Sequence, residues 1–337
     1  MDKTPLVSFC FTTYKRKDFL KQTLKSILIQ SFQDYEVIVS DNDPDQSAKE
    51  IFKDFDKRFK YFPNDENLGM KKSFNKSLER STGKYIVMIA DDDPVYPDML
   101  ETLVRLKHQH PEFGMYLAGS NYFFTHPVIA RLCNMHVGKN SCLADEEIDL
   151  IRLYSPCDFL KKFFDLKIFP AYLWSCCMVK REILIEKGGV PDYDTPFLGD
   201  YAYLSTMGSH SGCAVINRDV GHQTVHEQNF GRNQNDQLFK VGNNFIAYVS
   251  DKIKGVENWK EVEKSMKHFI ASWYITHLSF LRNYYSIFRP EGIKELLAVE
   301  KDLFKSELMK PYRKKYWLKT NVPAIHDFLV VIKRKFL

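Results

Sequence analysis

The sequence of 337 residues has no apolar run near bilayer length. Its longest, YIVMIA (Tyr85–Ala90) and FLVVI (Phe328–Ile332), fall far short of the roughly 20 residues that a spanning helix requires. The N-terminus, MDKTPLVSFCF, lacks the basic segment and long apolar stretch of a secretory signal, so the expected location is the cytoplasm. Glycine and proline are sparse, 15 and 14, which excludes fibrous and low-complexity classes. Seven cysteines without a CxxC spacing give neither a zinc site nor a disulfide framework. No zinc-finger, RRM or helix-turn-helix signature appears and the excess of basic residues is confined to one end, so nucleic acid is not an expected partner.

What is present is enough apolar residue, 44%, to bury a large core in one or two domains. Strand-like runs alternate with helical spacing. Leu6 to Thr12 reads as a strand, and Phe19, Leu20, Leu24, Ile27 and Leu28 mark one helix face within residues 17–30. Strands at Tyr35 to Ser40, Phe59 to Phe62 and Tyr85 to Ala90 alternate with helices at Ser47 to Phe55 and Met70 to Arg80. A helix over Pro97 to His108 and a strand over Met115 to Ala118 follow. This alternation predicts an α/β fold with a mostly parallel sheet flanked by helices and ligands at the carboxyl ends of the strands. Further on, the pattern predicts a helix over Asp158 to Leu166, a strand over Tyr172 to Val179 and a helix over Gly199 to Met207. From Asn235 onward it is almost wholly helical, with Trp259 to Phe288 the longest segment. The expected division is a domain over 1–234, with halves 1–110 and 111–234, and a helical region over 235–337. From residue 241 on, 18 Lys and Arg face 10 Asp and Glu. KPYRKKYWLK at Lys310 to Lys319 makes an anionic membrane surface a candidate partner, the alternative being a solvated helix face.

The chemistry-bearing feature is Asp91, Asp92 and Asp93 at the end of YIVMIA. Three adjacent carboxylates repel one another, and a hard divalent cation relieves that cost. The alternative is a turn in which Asp93 precedes Pro94 and caps the next helix. Asp41 ends a second strand and FTTYKR (Phe11–Arg16) ends the first. In a parallel sheet all three lie on one edge, where Tyr14, Arg16, hydroxyls and a carboxylate suit a nucleotide. The alternative for Asp41 is an Asx-rich turn.

FTTYKRKDFLKQTLKSILIQSFQDYEVIVSDN (Phe11–Asn42) and DENLGMKKSFNKSLERSTGKYIVMIADDD (Asp65–Asp93), with Pro97 beyond, closely resemble the opening of glycosyltransferase family 2, of the GT-A fold. The resemblance implies a nucleotide-diphosphate sugar donor, Mn²⁺ or Mg²⁺, and inverting transfer to a hydroxyl of a glycan or lipid-linked saccharide. By position it puts Thr12, Thr13, Tyr14 and Arg16 beside the base and ribose, Asp41 on the base, and Asn67, Gly69 and Lys72 near phosphate or ribose. The family's D-x-D-D is altered here, since Ala90 stands at its first position; Asp92 or Asp93 then becomes the metal ligand, with Asp91 toward the ribose. LGDYAYLSTMGSHSGCAVI (Leu198–Ile216) resembles the segment that carries the general base, here Asp200, whose alternative is a carboxylate favoured at a helix N-terminus. TVHEQNFGRN (Thr224–Asn233) matches the stretch in which a family His completes the metal shell, here His226, with Asn229 and Arg232 toward the diphosphate; the alternatives are a loop or core histidine and a polar surface loop. Trp174 is a candidate platform for an acceptor sugar, with core packing as its alternative.

The reading is therefore a non-processive glycosyltransferase of surface polysaccharide synthesis, cytoplasmic or peripheral at the inner membrane face; the Q-x-x-R-W pattern of processive synthases is absent. Its alternatives are a retired scaffold or glycan-binding protein of the same fold, and a sugar nucleotidyltransferase. The latter needs a glycine-rich loop near the first strand, and FTTYKR has no glycine.

Overall fold

The computed structural model describes residues 4–133, 147–168, 174–226, 229, 235–322, 325 and 329. The first half alternates as the sequence predicts: β1 (Val7–Thr13), α1 (Lys17–Leu28), β2 (Tyr35–Asp41), β3 (Phe59–Pro63), α2 (Met70–Arg80), β4 (Tyr85–Ala90), α3 (Met99–Gln109) and β5 (Met115–Phe124). After it come α4 (Pro127–Cys133), β6 (Ile151–Tyr154), α5 (Pro156–Phe164), β7 (Cys177–Lys180), α6 (Arg181–Glu186), α7 (Gly199–Ser211) and β8 (Cys213–Val225). Four helices close the described chain: α8 (Leu238–Ile253), α9 (Trp259–Phe288), α10 (Ile293–Leu303) and α11 (Arg313–Asn321). Two expectations change. The helix expected over Ser47 to Phe55 is a 3₁₀ turn over Lys49–Asp54 with no buried residue to anchor a longer helix. The strand expected from Tyr172 is a 3₁₀ turn at Trp174–Cys176 before β7, and residues 172–173 lie outside the described residues.

The eight strands form one sheet in the order β3-β2-β1-β4-β7-β5-β8-β6. β1, β2, β3 and β4 pair in parallel, as do β5 and β8, while β7 runs antiparallel to β4 and β5, and β6 to β8. All seven residues of β1 and of β2 are buried, as central strands covered on both faces must be. Against one face pack Leu20, Leu24 and Ile27 of α1 and Leu100 and Leu103 of α3. The other face carries Phe74 of α2, Phe159, Phe163 and Phe164 of α5, Tyr203 of α7 and the apolar faces of α8 and α9.

The C-terminal helices are held by that same core. Phe164 lies 6.3 Å from Phe245 and 5.7 Å from Phe269, and Tyr201 lies 4.6 Å from Phe269. The Tyr274 hydroxyl accepts from the Gly242 amide and donates to the Leu238 carbonyl, which ties α9 to α8. Among the described residues no helix is long and apolar enough to cross a membrane.

Register sets the site. Thr13 stands opposite Asp41 and Thr12 opposite Ala90, so the carboxyl ends of β1, β2 and β4 are level. β5 and β8 pair on beyond that edge, out to Phe124 and Val225, and this carries Thr224 and His226 to the same place.

Candidate active site

The loop after β4 holds Asp91, Asp92 and Asp93, all buried. Two unit charges 4 Å apart repel by about 4 kcal/mol at an effective dielectric near 20, so three such carboxylates cannot all stay charged without a cation among them. The structure answers this in two ways. Arg16, just past β1, puts Nη1 at 2.9 Å from Asp91 Oδ1 and Nη2 on Asp92 Oδ2. Asp93 turns to β8, where its Oδ1 accepts from the Thr224 amide at 3.1 Å. Burial, then the charge of Asp92, pushes Asp93 well above the usual carboxylate range. Burial also raises Asp91, to about 7, against the lowering charge of Arg16; its Oδ2 accepts from Thr13 Oγ1 at 2.8 Å. In Asp92, burial is outweighed by the His226 hydrogen bond and by Arg16, and this carboxyl falls below its usual range.

His226 Nε2 lies 3.0 Å from Asp92 Oδ2 and 2.9 Å from Arg16 Nη2. Its ring stacks on Phe19 of α1 at 4.6 Å, and its amide donates to Asn229 Oδ1 at 2.7 Å. Asp92 and His226 thus converge, and a carboxylate with an imidazole is a donor pair suited to Mn²⁺ and similar divalent ions. Among the described residues, no group of three His, Cys, Asp or Glu side chains is already assembled for a metal. The donor chemistry of this pair fits a divalent cation.

Asp200 sits in the first turn of α7, after Leu198 in the left-handed region at φ 61°. Burial raises its carboxyl to about 7, its own backbone hydrogen bond works against this, and the charge of Asp92 adds to it. Among the described residues it takes part in no ion pair, and its charge and those of Asp92 and Asp93 are felt by one another.

The other expected residues are placed as follows. Thr12 donates to Ser73 Oγ at 2.7 Å, and Tyr14 is exposed. Lys15, Arg16, Lys17, Asp18, Phe19, Asp43, Asp45 and Ser47 line an open pocket of about 520 Å³ between the loops that follow β1 and β2. Asp41 is fully buried; it accepts from the Asp43 amide at 2.9 Å and from the Tyr61 hydroxyl at 2.8 Å, so it holds the turn at the pocket's edge. Asn67 Oδ1 accepts from the Gly69 amide at 2.9 Å, and Gly69, at φ 79°, opens α2. Exposed Lys72 borders a second pocket, about 260 Å³, with Asp192, Asp194, Thr195 and Gln237. Trp174 is a correction: it is 4% exposed and packs edge-on to Phe74 and Tyr203, which leaves no face for a sugar. Arg232 lies outside the described residues. Phe19, read from the sequence only as part of a helix face, and Asp43 and Thr224 carry no functional signal there; the one available for Phe19 is its place in the first turn of α1, three residues after the capping Arg16.

Residues 8–187 match the family described as Glycosyl transferase family 2. An uncharacterised glycosyltransferase of Haemophilus influenzae is 25% identical over 275 residues, 75% of this chain and 77% of that one. One of Methanocaldococcus jannaschii is 40% identical over 106 residues, 30% of this chain and 36% of that one, so the chain matches only about a third of that relative's length. S. aureus TarS 1-349 in complex with UDP-GlcNAc has the same fold, with a TM-score of 0.57 at 14% identity over 89% of this chain and 80% of that one. So has the mannosyltransferase PcManGT of Pyrobaculum calidifontis in complex with GDP-Man and Mn²⁺, with a TM-score of 0.53 at 17% identity over 97% and 87%.

Proposed function

The chain belongs to glycosyl transferase family 2, and from that premise we propose that it moves a sugar from a nucleotide-diphosphate donor to a hydroxyl of a glycan or lipid-linked saccharide, with inversion and a divalent cation. The observation that carries this reading is the convergence at one sheet edge of Asp92, His226 and Arg16, with the near-neutral carboxyl of Asp200 within electrostatic reach of Asp92. Asp92 and His226 would hold Mn²⁺ or Mg²⁺, which when bound supplies positive charge to the departing diphosphate. The pocket lined by Lys15, Arg16 and Ser47 would take the nucleoside end. Asp200 would remove the acceptor proton as the hydroxyl attacks the anomeric carbon from the face opposite the diphosphate. Two fold neighbours hold a UDP-sugar and a GDP-sugar, so the base has to be found by experiment.

Thermal unfolding against UDP, GDP, CDP and TDP, with Mn²⁺ or with chelator, tests the donor site. One nucleotide is expected to raise the melting temperature only with metal, by several degrees, and Asp92→Asn is expected to abolish the rise. If no nucleotide shifts the protein, a retired scaffold becomes the better account.

The reading also puts the enzyme at an anionic membrane face, where a lipid-linked acceptor is presented. Trp317 of α11 is 57% exposed among exposed Arg313, Lys314 and Lys315, and no Asp or Glu occurs from Leu308 to His326. Each basic residue near such a surface contributes about 1 kcal/mol. Co-sedimentation with phosphatidylglycerol vesicles is expected to exceed that with phosphatidylcholine and to fall in 0.5 M salt (roughly a 4 Å screening length) and in Trp317→Ala. Equal sedimentation with both vesicles would remove the membrane from the reading.

A further inference from the structure

We propose that Arg16 is a displaceable stand-in for the divalent cation: guanidinium and metal take the same ligand atoms in turn, and Arg16 passes to the donor diphosphate as the metal loads. The inference rests on the metal-dependent reading and assigns Arg16 a place the sequence did not, since by position it was expected beside base and ribose.

The conflict is one of lone pairs. Arginine has only donors, so wherever Arg16 Nη2 hydrogen-bonds His226 Nε2 at 2.9 Å, that nitrogen is the acceptor and its single lone pair is used. In the other tautomer Nε2–H donates to Asp92 Oδ2 at 3.0 Å, and the lone pair is again missing. Neither state leaves Nε2 able to ligate a metal while Arg16 stays. Asp92 Oδ2 is engaged by the same Nη2, and Asp91 Oδ1 by Nη1. A dication placed on Asp92 and His226 would stand against a fixed monocation, so one of the two must leave.

Arg16 is built to be the one that leaves. Its Nε–H is buried without an acceptor, so the guanidinium's donors are incompletely satisfied. Its side chain keeps 25% exposure, lies over the Phe19 ring at 5.1 Å and lines the larger pocket, which gives it a path outward. A diphosphate offers the paired anionic oxygens that a guanidinium fork matches. Metal and nucleotide would then bind cooperatively, because each relieves what the other requires of Arg16.

Mn²⁺ binding to the full chain, read from the free-ion EPR signal without nucleotide, tests this. Arg16→Gln is expected to bind Mn²⁺ about tenfold more tightly than wild type, with Arg16→Lys between them because an ammonium cannot fork across Asp91 and Asp92. Adding His226→Ala to Arg16→Gln is expected to erase the gain. Equal or weaker binding in Arg16→Gln overturns the proposal, as does a gain that survives loss of His226. Should Arg16→Gln not melt cooperatively, Arg16→Lys decides by the same sign. A metal-dependent nucleotide shift in wild type beside an unchanged Arg16→Gln affinity would overturn this inference alone and leave the transferase reading standing.

Discussion

Asp200→Asn is expected to lower kcat by about 10²- to 10⁴-fold, the range that a positioned base supplies, while the metal-dependent nucleotide shift stays intact. The two readouts separate base from binding residue, since an amide occupies the same space but cannot take a proton. The pH dependence follows from the same group. A base must be ionised to act, and burial raises this carboxyl to about 7. The wild-type rate is therefore expected to climb from pH 5 to 8 with a midpoint near 7, then level off. Stability should move the other way. A carboxyl whose folded pKa is raised favours the folded state below the ordinary aspartate value and loses that contribution as pH rises through about 7. Asp200→Asn removes the penalty, so the variant is expected to be more stable than wild type at pH 8 by up to roughly 4 kcal/mol, with the gain gone near pH 4. Urea melts at the two pH values check this. An Asp200→Asn enzyme with near wild-type kcat, or a rate flat from pH 5 to 8, would remove Asp200 from the base role.

How far the sequence led depended on whether a signal was local. β1 to β4 and their helices were legible because each buried strand is a continuous apolar run and each helix repeats its apolar face at 3.6 residues. The bounds of α9 could be read for the same reason: Val262, Met266, Phe269, Ile270 and Tyr274 keep that period and are buried. β6 and β7 are four residues each, and their direction is set by pairing across the sheet, which no local pattern records. The carboxylate run was legible, but its counter-charge was not. Arg16 precedes Asp91 by 75 positions, and only the level ends of β1 and β4 bring them together. A metal was the economical inference from three adjacent Asp; the fold adds a guanidinium on two of them and a buried setting that raises the third. Trp174 is ambiguous for a related reason: an aromatic in an apolar run offers a platform but more often packs in the core, and Phe74 with Tyr203 place it in the core.

Asp92 and Asp93 were left as equals by the sequence, and the fold makes them unequal, so their amide variants are expected to diverge. Asp92 is the depressed carboxyl that meets both Arg16 and His226. Asp92→Asn leaves the guanidinium and any bound cation without their main anionic partner, and the expected loss is roughly 10³-fold in kcat/KM, the rate equivalent of several kcal/mol of charge stabilisation. Asp93 accepts from the Thr224 amide and is pushed well above the usual carboxylate range by burial and by Asp92. An amide of the same shape matches the uncharged form that this shift favours, and its oxygen keeps the Thr224 bond and so holds β8 and His226 in place. Asp93→Asn is therefore expected to cost less than about tenfold in kcat/KM, under 1.4 kcal/mol, and to keep the metal-dependent nucleotide shift. Asp93→Ala, which removes that acceptor, is expected to lose stability by about 1–3 kcal/mol as the buried amide goes unpaired. Parallel kinetics and melts of the three variants distinguish the roles. If Asp93→Asn is as inactive as Asp92→Asn while still fully folded, Asp93 works as an ionised ligand.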